Sequence, residues 1–176
     1  MIYQTINPYN GEKLKEFQLH TNKEVKEVIK KSEMASDILK KISFKEKAKW
    51  MRSLAALLKE KKEELALLVT TEMGKLKKEA VAEIDKCAWV CEYYSDHAEE
   101  FLAPESMDSS GKSCTVHYEP LGTVLAIMPW NFPFWQLFRF AAPAVMAGNT
   151  VLLKHAPNVP QCAQKIELLF FRGWIP

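Results

Sequence analysis

Two apolar runs, residues 123–128 and 150–153, bracket a segment that reads as a helix, and a polar side chain follows each run. The first run turns at Pro129-Trp130-Asn131-Phe132-Pro133, and the second delivers Lys154. Residues 134–147 are apolar nearly all round, as in a helix buried between layers. Pro133 suits a first helical position, Pro143 should kink the helix, and Gly148 suits a left-handed cap. Strand, helix, strand in this order makes a parallel pair, so the fold class is α/β. Ligands in open parallel sheets bind outside the carboxyl ends of the strands, where Asn131 and Lys154 fall.

The charge distribution sets this unit apart. Residues 1–112 carry 20 Lys or Arg and 20 Asp or Glu, whereas residues 113–176 carry 4 and 2. The first part reads as solvated amphipathic helices and the second as material meant for burial. A net charge of +2 is too small to argue for nucleic acid or an anionic membrane. No apolar run approaches the roughly 18 residues of a membrane span, and Met1-Ile2-Tyr3-Gln4 lacks the features of a signal peptide. Cys87 and Cys91 share a helix face, but neighbouring residues do not complete a zinc site, so core packing is expected and no metal. Free cysteines fit a reducing, cytoplasmic compartment.

Upstream, Asn7-Pro8-Tyr9-Asn10-Gly11-Glu12 is a turn signal inside a hairpin over residues 5–20. Thr21-x-x-Glu24 and Ser43-x-x-Glu46 have the form of capping boxes. Val25, Val28, Ile29, Ser32, Ala35 and Leu39 recur at helical spacing after the first box; Ala48, Met51, Leu54, Ala55 and Leu58 follow the second. Leu65, Leu68 and Val69 belong to a third helix that Gly74 can end. Residues 76–103 make one long helical pattern through Ala80, Ile84, Cys87, Cys91, Tyr94, Ala98 and Phe101, closed by Pro104. Residues 104–112 read as loop, 113–119 as an exposed or edge strand, and 158–171 as a last helix with Pro160 in its first turn.

Each candidate site residue has a plain reading beside a chemical one. Asn131 either caps the following helix or donates its amide to a developing oxyanion. Lys154 is either a solvated charge or a ligand for nucleotide ribose or phosphate. Arg139 is the sole cation between Lys112 and Lys154, on an apolar helix, and Glu119 and Glu167 are the nearest flanking acids. A buried arginine there needs an interdomain salt bridge or a substrate carboxylate held bidentately. Trp130, Phe132, Phe134 and Trp135 are core aromatics, one or two of which could wall a ligand tunnel. His20, His97, His117 and His155 do not form a site. The Gly-x-Gly-x-x-Gly fingerprint is absent, which argues against an ordinary Rossmann dehydrogenase.

These residues resemble the aldehyde dehydrogenase superfamily. Pro129-Trp130-Asn131-Phe132-Pro133 is similar to its Pro-Trp-Asn-Phe-Pro motif, and Ala147-Gly148-Asn149-Thr150 with Leu152-Leu153-Lys154 follows at family spacing. Ile6-Asn7-Pro8 with Gly11-Glu12, Glu72-Met73-Gly74-Lys75 and Glu119-Pro120-Leu121-Gly122 are further landmarks, so the resemblance covers essentially the whole chain. Arg139 and Lys154-His155-Ala156-Pro157-Asn158 look most like succinate-semialdehyde dehydrogenases.

The resemblance implies an incomplete Rossmann-type parallel sheet with a helical N-terminal lead-in; this cofactor-binding fold does without the glycine fingerprint. Residues 1–112 would be the helical lead-in, 113–121 an oligomerisation-arm strand, and 122–176 the first strand-helix-strand unit of the NAD(P) domain. It implies oxidation of a small aldehyde, succinic semialdehyde above all, with NAD or NADP, in a homo-oligomer. Asn131 would stabilise the oxyanion, while Met128, Trp130 and Lys154 would bind cofactor. Arg139 and Phe132 would bind substrate. NAD-preferring members often have Glu where this chain has Pro157, which leaves room for a 2′-phosphate. The family's nucleophilic cysteine and general-base glutamate match no residue here, and 171–176 depart from the usual ending of that helix. Two expectations follow: an enzyme fragment inactive alone, or a truncated chain that pairs with full-length subunits.

Overall fold

The computed structural model describes residues 2–108, 110–111 and 113–173. A hairpin opens the chain: β1 (Ile2–Ile6) pairs antiparallel with β2 (Lys13–Gln18). Its turn is held by Asn7 Oδ1 accepting from the Tyr9 N–H and Asn10 Oδ1 accepting from the Glu12 N–H, both at 3.0 Å. Four helices follow: α1 (Asn22–Leu39), α2 (Phe44–Glu60), α3 (Lys62–Met73) and α4 (Lys77–Phe101). Thr21 and Glu24 form the complete reciprocal capping box of α1. At α2 the Ser43 hydroxyl accepts from the Glu46 N–H, and the reciprocal bond is not made. Gly74 ends α3 at φ 79°, a left-handed conformation that costs glycine little.

α4 is the spine, packing against α2, α3 and α5 (Trp135–Met146). Its Ala80, Ile84, Cys87, Cys91 and Ala98 are buried with Met51, Leu54, Ala55 and Leu58 of α2. Phe101 departs from the expected stripe and is half exposed. So do Val25, Val28 and Ile29 of α1, because among the described residues only the far end of that helix face is covered. The expected loop over 104–112 contains a strand instead. β3 (Glu105–Met107) pairs antiparallel with β4 (Cys114–Val116), the Tyr118 hydroxyl donates to the Glu105 carboxylate, and every residue of both strands is exposed.

The strand-helix-strand unit forms as the sequence requires. β5 (Thr123–Met128) and β6 (Thr150–His155) run parallel, with Ile127 opposite Lys154 and Met128 opposite His155. α5 joins them and continues through Pro143; α6 (Pro160–Arg172), with Pro160 in its first turn, follows β6. Gly148 at φ 92° closes α5 as expected. The Gly148 and Asn149 N–H groups reach back to the Val145 and Ala144 carbonyls, both at 2.9 Å, the double bond of a Schellman cap. Asn149 Oδ1 also accepts from the Gly122 N–H at 3.0 Å, tying the end of α5 to the entry of β5.

Side chains alternate across the two strands. Val124, Ala126, Met128, Val151, Leu153 and His155 share one face; Ala126 and His155 are buried, and Met128, Val151 and Leu153 pack on the core. Thr123, Leu125, Ile127, Thr150, Leu152 and Lys154 share the other. α1 covers only its start, where Ser32 Oγ lies 3.1 Å from Thr123 Oγ1 and the Thr150 hydroxyl donates to the Ser32 carbonyl at 3.0 Å. Leu125 and Ile127 are therefore 60% and 68% exposed. Residues 113–176 read as material meant for burial, yet this face of β5 lacks a covering layer among the described residues. No helix among them is long and apolar enough to cross a membrane.

Candidate active site

The carboxyl ends of β5 and β6 open onto residues 129–134, a bent segment before α5. Asn131 does not cap α5. The helix begins at Trp135, its cap position is Phe134, and no side chain of its own segment satisfies the first N–H groups. Pro133 accordingly precedes the helix rather than opening it. Asn131 is exposed and its amide makes no hydrogen bond among the described residues.

The capping is done from a distance. Glu83, on the buried face of α4, accepts from the Phe134 N–H at 2.8 Å and the Trp135 N–H at 3.0 Å through Oε1. Its Oε2 pairs with the Lys75 ammonium, and the two side chains are almost wholly buried. A carboxylate at a helix N-terminus meets both unsatisfied donors and the positive end of the helix dipole. The Lys75 ammonium also sits 3.6 Å from the centroid of the Phe132 ring, a cation–π contact.

The same solution recurs at α6, which also lacks a side-chain cap of its own. Glu72 of α3 accepts from the Gln161 and Cys162 N–H groups at 2.9 and 2.8 Å. Burial raises the Glu72 pKa against the lowering effect of these bonds. Glu72-Met73-Gly74-Lys75 thus gains a physical meaning: an α6 cap, a left-handed helix end and the partner of the α5 cap.

His155 completes the frame. Its Nε2 lies 2.8 Å from the Pro133 carbonyl oxygen, and its Nδ1 accepts from the Ala156 N–H at 2.8 Å. A carbonyl needs a donor and an N–H needs an acceptor, so the ring is neutral with its proton on Nε2. Burial pushes its pKa below the ordinary value, with the Lys154 charge acting in the same direction. Neither His155 nor Glu83 has a role that local sequence pattern reveals. Glu83 was detectable as an acid between Ala80, Ile84 and Cys87 on the inward stripe of α4.

The other candidates are placed as follows. Lys154 is exposed on the open face of the sheet, beside Ile127. Met128 is half-buried on the opposite face, against the core. Trp130 and Phe132 are 50% and 42% exposed at the corner, while Phe134 is wholly buried. Arg139 is exposed on α5 and makes no ion pair among the described residues, so its expected burial is not found. Cys87, Cys91 and Cys162 are buried, with thiols pushed far up by desolvation, and Cys114 lies apart on β4. No cluster of metal-ligating side chains occurs among the described residues. Residues 174–176 of the distinctive C-terminal segment lie outside the described residues.

Residues 1–176 match the model of the "Aldehyde dehydrogenase family". A Synechocystis protein named "Probable succinate-semialdehyde dehydrogenase [NADP(+)]" is 45% identical over 176 residues, covering 100% of this chain and 39% of the relative. An "Aldehyde dehydrogenase" of Paenarthrobacter nicotinovorans is 46% identical over 180 residues, with the same coverage of 100% and 39%. The crystal structure of succinic semialdehyde dehydrogenase from Streptococcus pyogenes, in complex with NADP+, superposes with a TM-score of 0.95. It is 32% identical and covers 99% of this chain and 38% of that one. The chain therefore spans about 39% of the length of the curated relatives it matches.

Proposed function

The chain belongs to the aldehyde dehydrogenase family, and on that premise we propose that it forms part of an enzyme oxidising succinic semialdehyde to succinate with NADP+ or NAD+. One observation carries this reading: an exposed, unpartnered Asn131 amide stands on a corner tied down at Phe132, Pro133, Phe134 and Trp135. A donor free of internal partners on a fixed backbone suits a charge that develops only in the transition state.

Asn131 Nδ2 would donate to the oxygen of the tetrahedral adduct. Lys154 would hold cofactor ribose or phosphate from the open face of β6, where the exposed Leu125 and Ile127 of the neighbouring β5 offer apolar surface beside it. Residues there fit a dinucleotide: a free ammonium and an apolar floor at the carboxyl end of a parallel sheet. When bound, the nicotinamide supplies the hydride acceptor. Met128 faces the core, so its part in cofactor binding would fall to its backbone at the strand end, next to Trp130. Pro157 is exposed and puts no carboxylate near the ribose, which supports NADP, as do the names of the relatives. Arg139, solvated and without an acidic partner among the described residues, would hold the substrate carboxylate, with Phe132 walling the approach.

These 176 residues would not turn over aldehyde by themselves, because the three buried thiols stay protonated and Cys114 lies on another sheet. The exposed β3–β4 ribbon would act as the arm that joins subunits. All four thiols are free, which supports a reducing, cytoplasmic setting. The test joins residues 1–176 to the part of the Synechocystis relative that lies beyond the match. The chimaera should reduce NADP+ with succinic semialdehyde, and the 176-residue chain should not. Cysteine-dependent turnover by the chain alone, or a folded chimaera inert toward aldehydes, rejects the assignment.

A further inference from the structure

Asn131 cannot position itself: it is exposed, makes no side-chain hydrogen bond, and its backbone N–H and carbonyl also lack partners among the described residues. Past the end of β5 at Met128, the contacts that hold the corner lie downstream of Asn131. The Phe132 ring rests against the Lys75 ammonium, the Pro133 carbonyl is held by His155, and the Phe134 and Trp135 N–H groups are held by Glu83. Three of these four contacts pass through one buried ion pair. Glu83 spends Oε1 on the two helix donors and Oε2 on Lys75, and Lys75 then carries Phe132.

We propose that Glu83 and Lys75 are positioning residues for Asn131, acting through the Phe132 ring and the first turn of α5; this rests on the oxyanion reading of Asn131. The ion pair determines where the corner stands rather than only how stable the fold is. Both ends of Glu83 need acceptor oxygen, one for two N–H groups and one for an ammonium. A Gln side chain offers acceptor oxygen at one end only, so its NH₂ must confront either Lys75 or the helix donors. One of the two anchors is then released without much change in shape. Lys75→Met removes the cation–π contact and leaves the buried carboxylate uncompensated, a harsher change. The double variant Lys75→Met/Glu83→Gln removes both charges of this pair and nearly keeps the side-chain volumes.

Two measurements test this. In the 176-residue chain, the side-chain amide resonances of Asn131 are followed by NMR in Glu83→Gln and in the double variant, with methyl signals of Leu54 and Leu58 reporting the α2–α4 core. The expected result is a shift at Asn131 with an unchanged core. An unmoved Asn131 amide, despite shifted Phe134 and Trp135 N–H signals, overturns the proposal. In the chimaera, Glu83→Gln should lower kcat by up to about 100-fold, with little change in the KM for aldehyde. It should lower kcat no further in an Asn131→Ala background. Equal losses in both backgrounds mean a general structural role and overturn the proposal. An Asn131→Ala chimaera of unchanged kcat rejects the oxyanion reading instead, and the NMR result still decides whether Glu83 places Asn131.

Discussion

His155 Nε2 lies 2.8 Å from the carbonyl oxygen of Pro133, joining the end of β6 to the corner that follows β5. The bond and its Nδ1 counterpart to the Ala156 N–H require the neutral ring. Burial depresses the pKa of His155 from 6.5, so the unfolded chain binds this proton before the folded one does. The stabilisation is complete above pH 6.5 and is lost as the pH falls from there through the depressed folded value. Denaturant titrations from about pH 7.5 to about pH 5.5 should show stability falling in wild type and falling less in His155→Gln. Glu72, raised above 4.5 by burial, contributes the opposite slope, so the difference between the two proteins isolates the imidazole. Parallel curves for the two proteins would count against the neutral ring.

Glu72→Ala should destabilise the chain by about 1–3 kcal/mol, because the Gln161 and Cys162 N–H groups lose their acceptor at a buried helix end. Hydrogen exchange should locate the loss in the first turn of α6, with α2 and α4 still protected. Uniform loosening of the whole chain would show that Glu72 supports the fold at large rather than this helix end.

In the chimaera, Arg139→Ala should raise the KM for succinic semialdehyde roughly ten- to hundredfold, the range of a hydrogen bond to a charged group. An uncharged aldehyde of similar length should be nearly unaffected. Equal effects on both aldehydes remove Arg139 from the substrate site and make it a solvated helix residue.

Pro157→Glu should move cofactor preference toward NAD+. A carboxylate three residues past Lys154 would repel a 2′-phosphate and accept from the ribose hydroxyls. The measured quantity is the ratio of kcat/KM for NADP+ and NAD+ in the chimaera. A ratio unchanged by the new charge would place residue 157 away from the ribose.

The parallel strand-helix-strand unit was legible because its signals are local: two apolar runs, a left-handed glycine at 148, and an apolar helix between them. The α2 and α4 stripes were legible for the same reason. What sequence reasoning missed depends on contacts between distant residues. Asn131 before a helix start has every local mark of a cap, and only the structure shows Glu83 in that place, 51 residues away. Periodicity marks Glu83 as inward-facing but cannot say which donors it meets. Arg139 looked buried because its helix is apolar, yet the one face of α5 left uncovered by described residues is the face it occupies. Likewise β5 is apolar along its length, although among the described residues one of its faces is covered only at its start.

Glu72 and Glu83 lie 89 and 51 residues ahead of the first N–H groups they accept from. A ribosome therefore makes both capping carboxylates before the helices that need them. At translation rates of roughly 5–20 residues per second, the carboxylates wait several seconds for their partners. During that interval α2, α3 and α4 can dock on one another, so α5 and α6 emerge onto a prepared template. A circular permutant that places residues 123–173 first would reverse that order and should reach the folded state more slowly during synthesis than the natural arrangement.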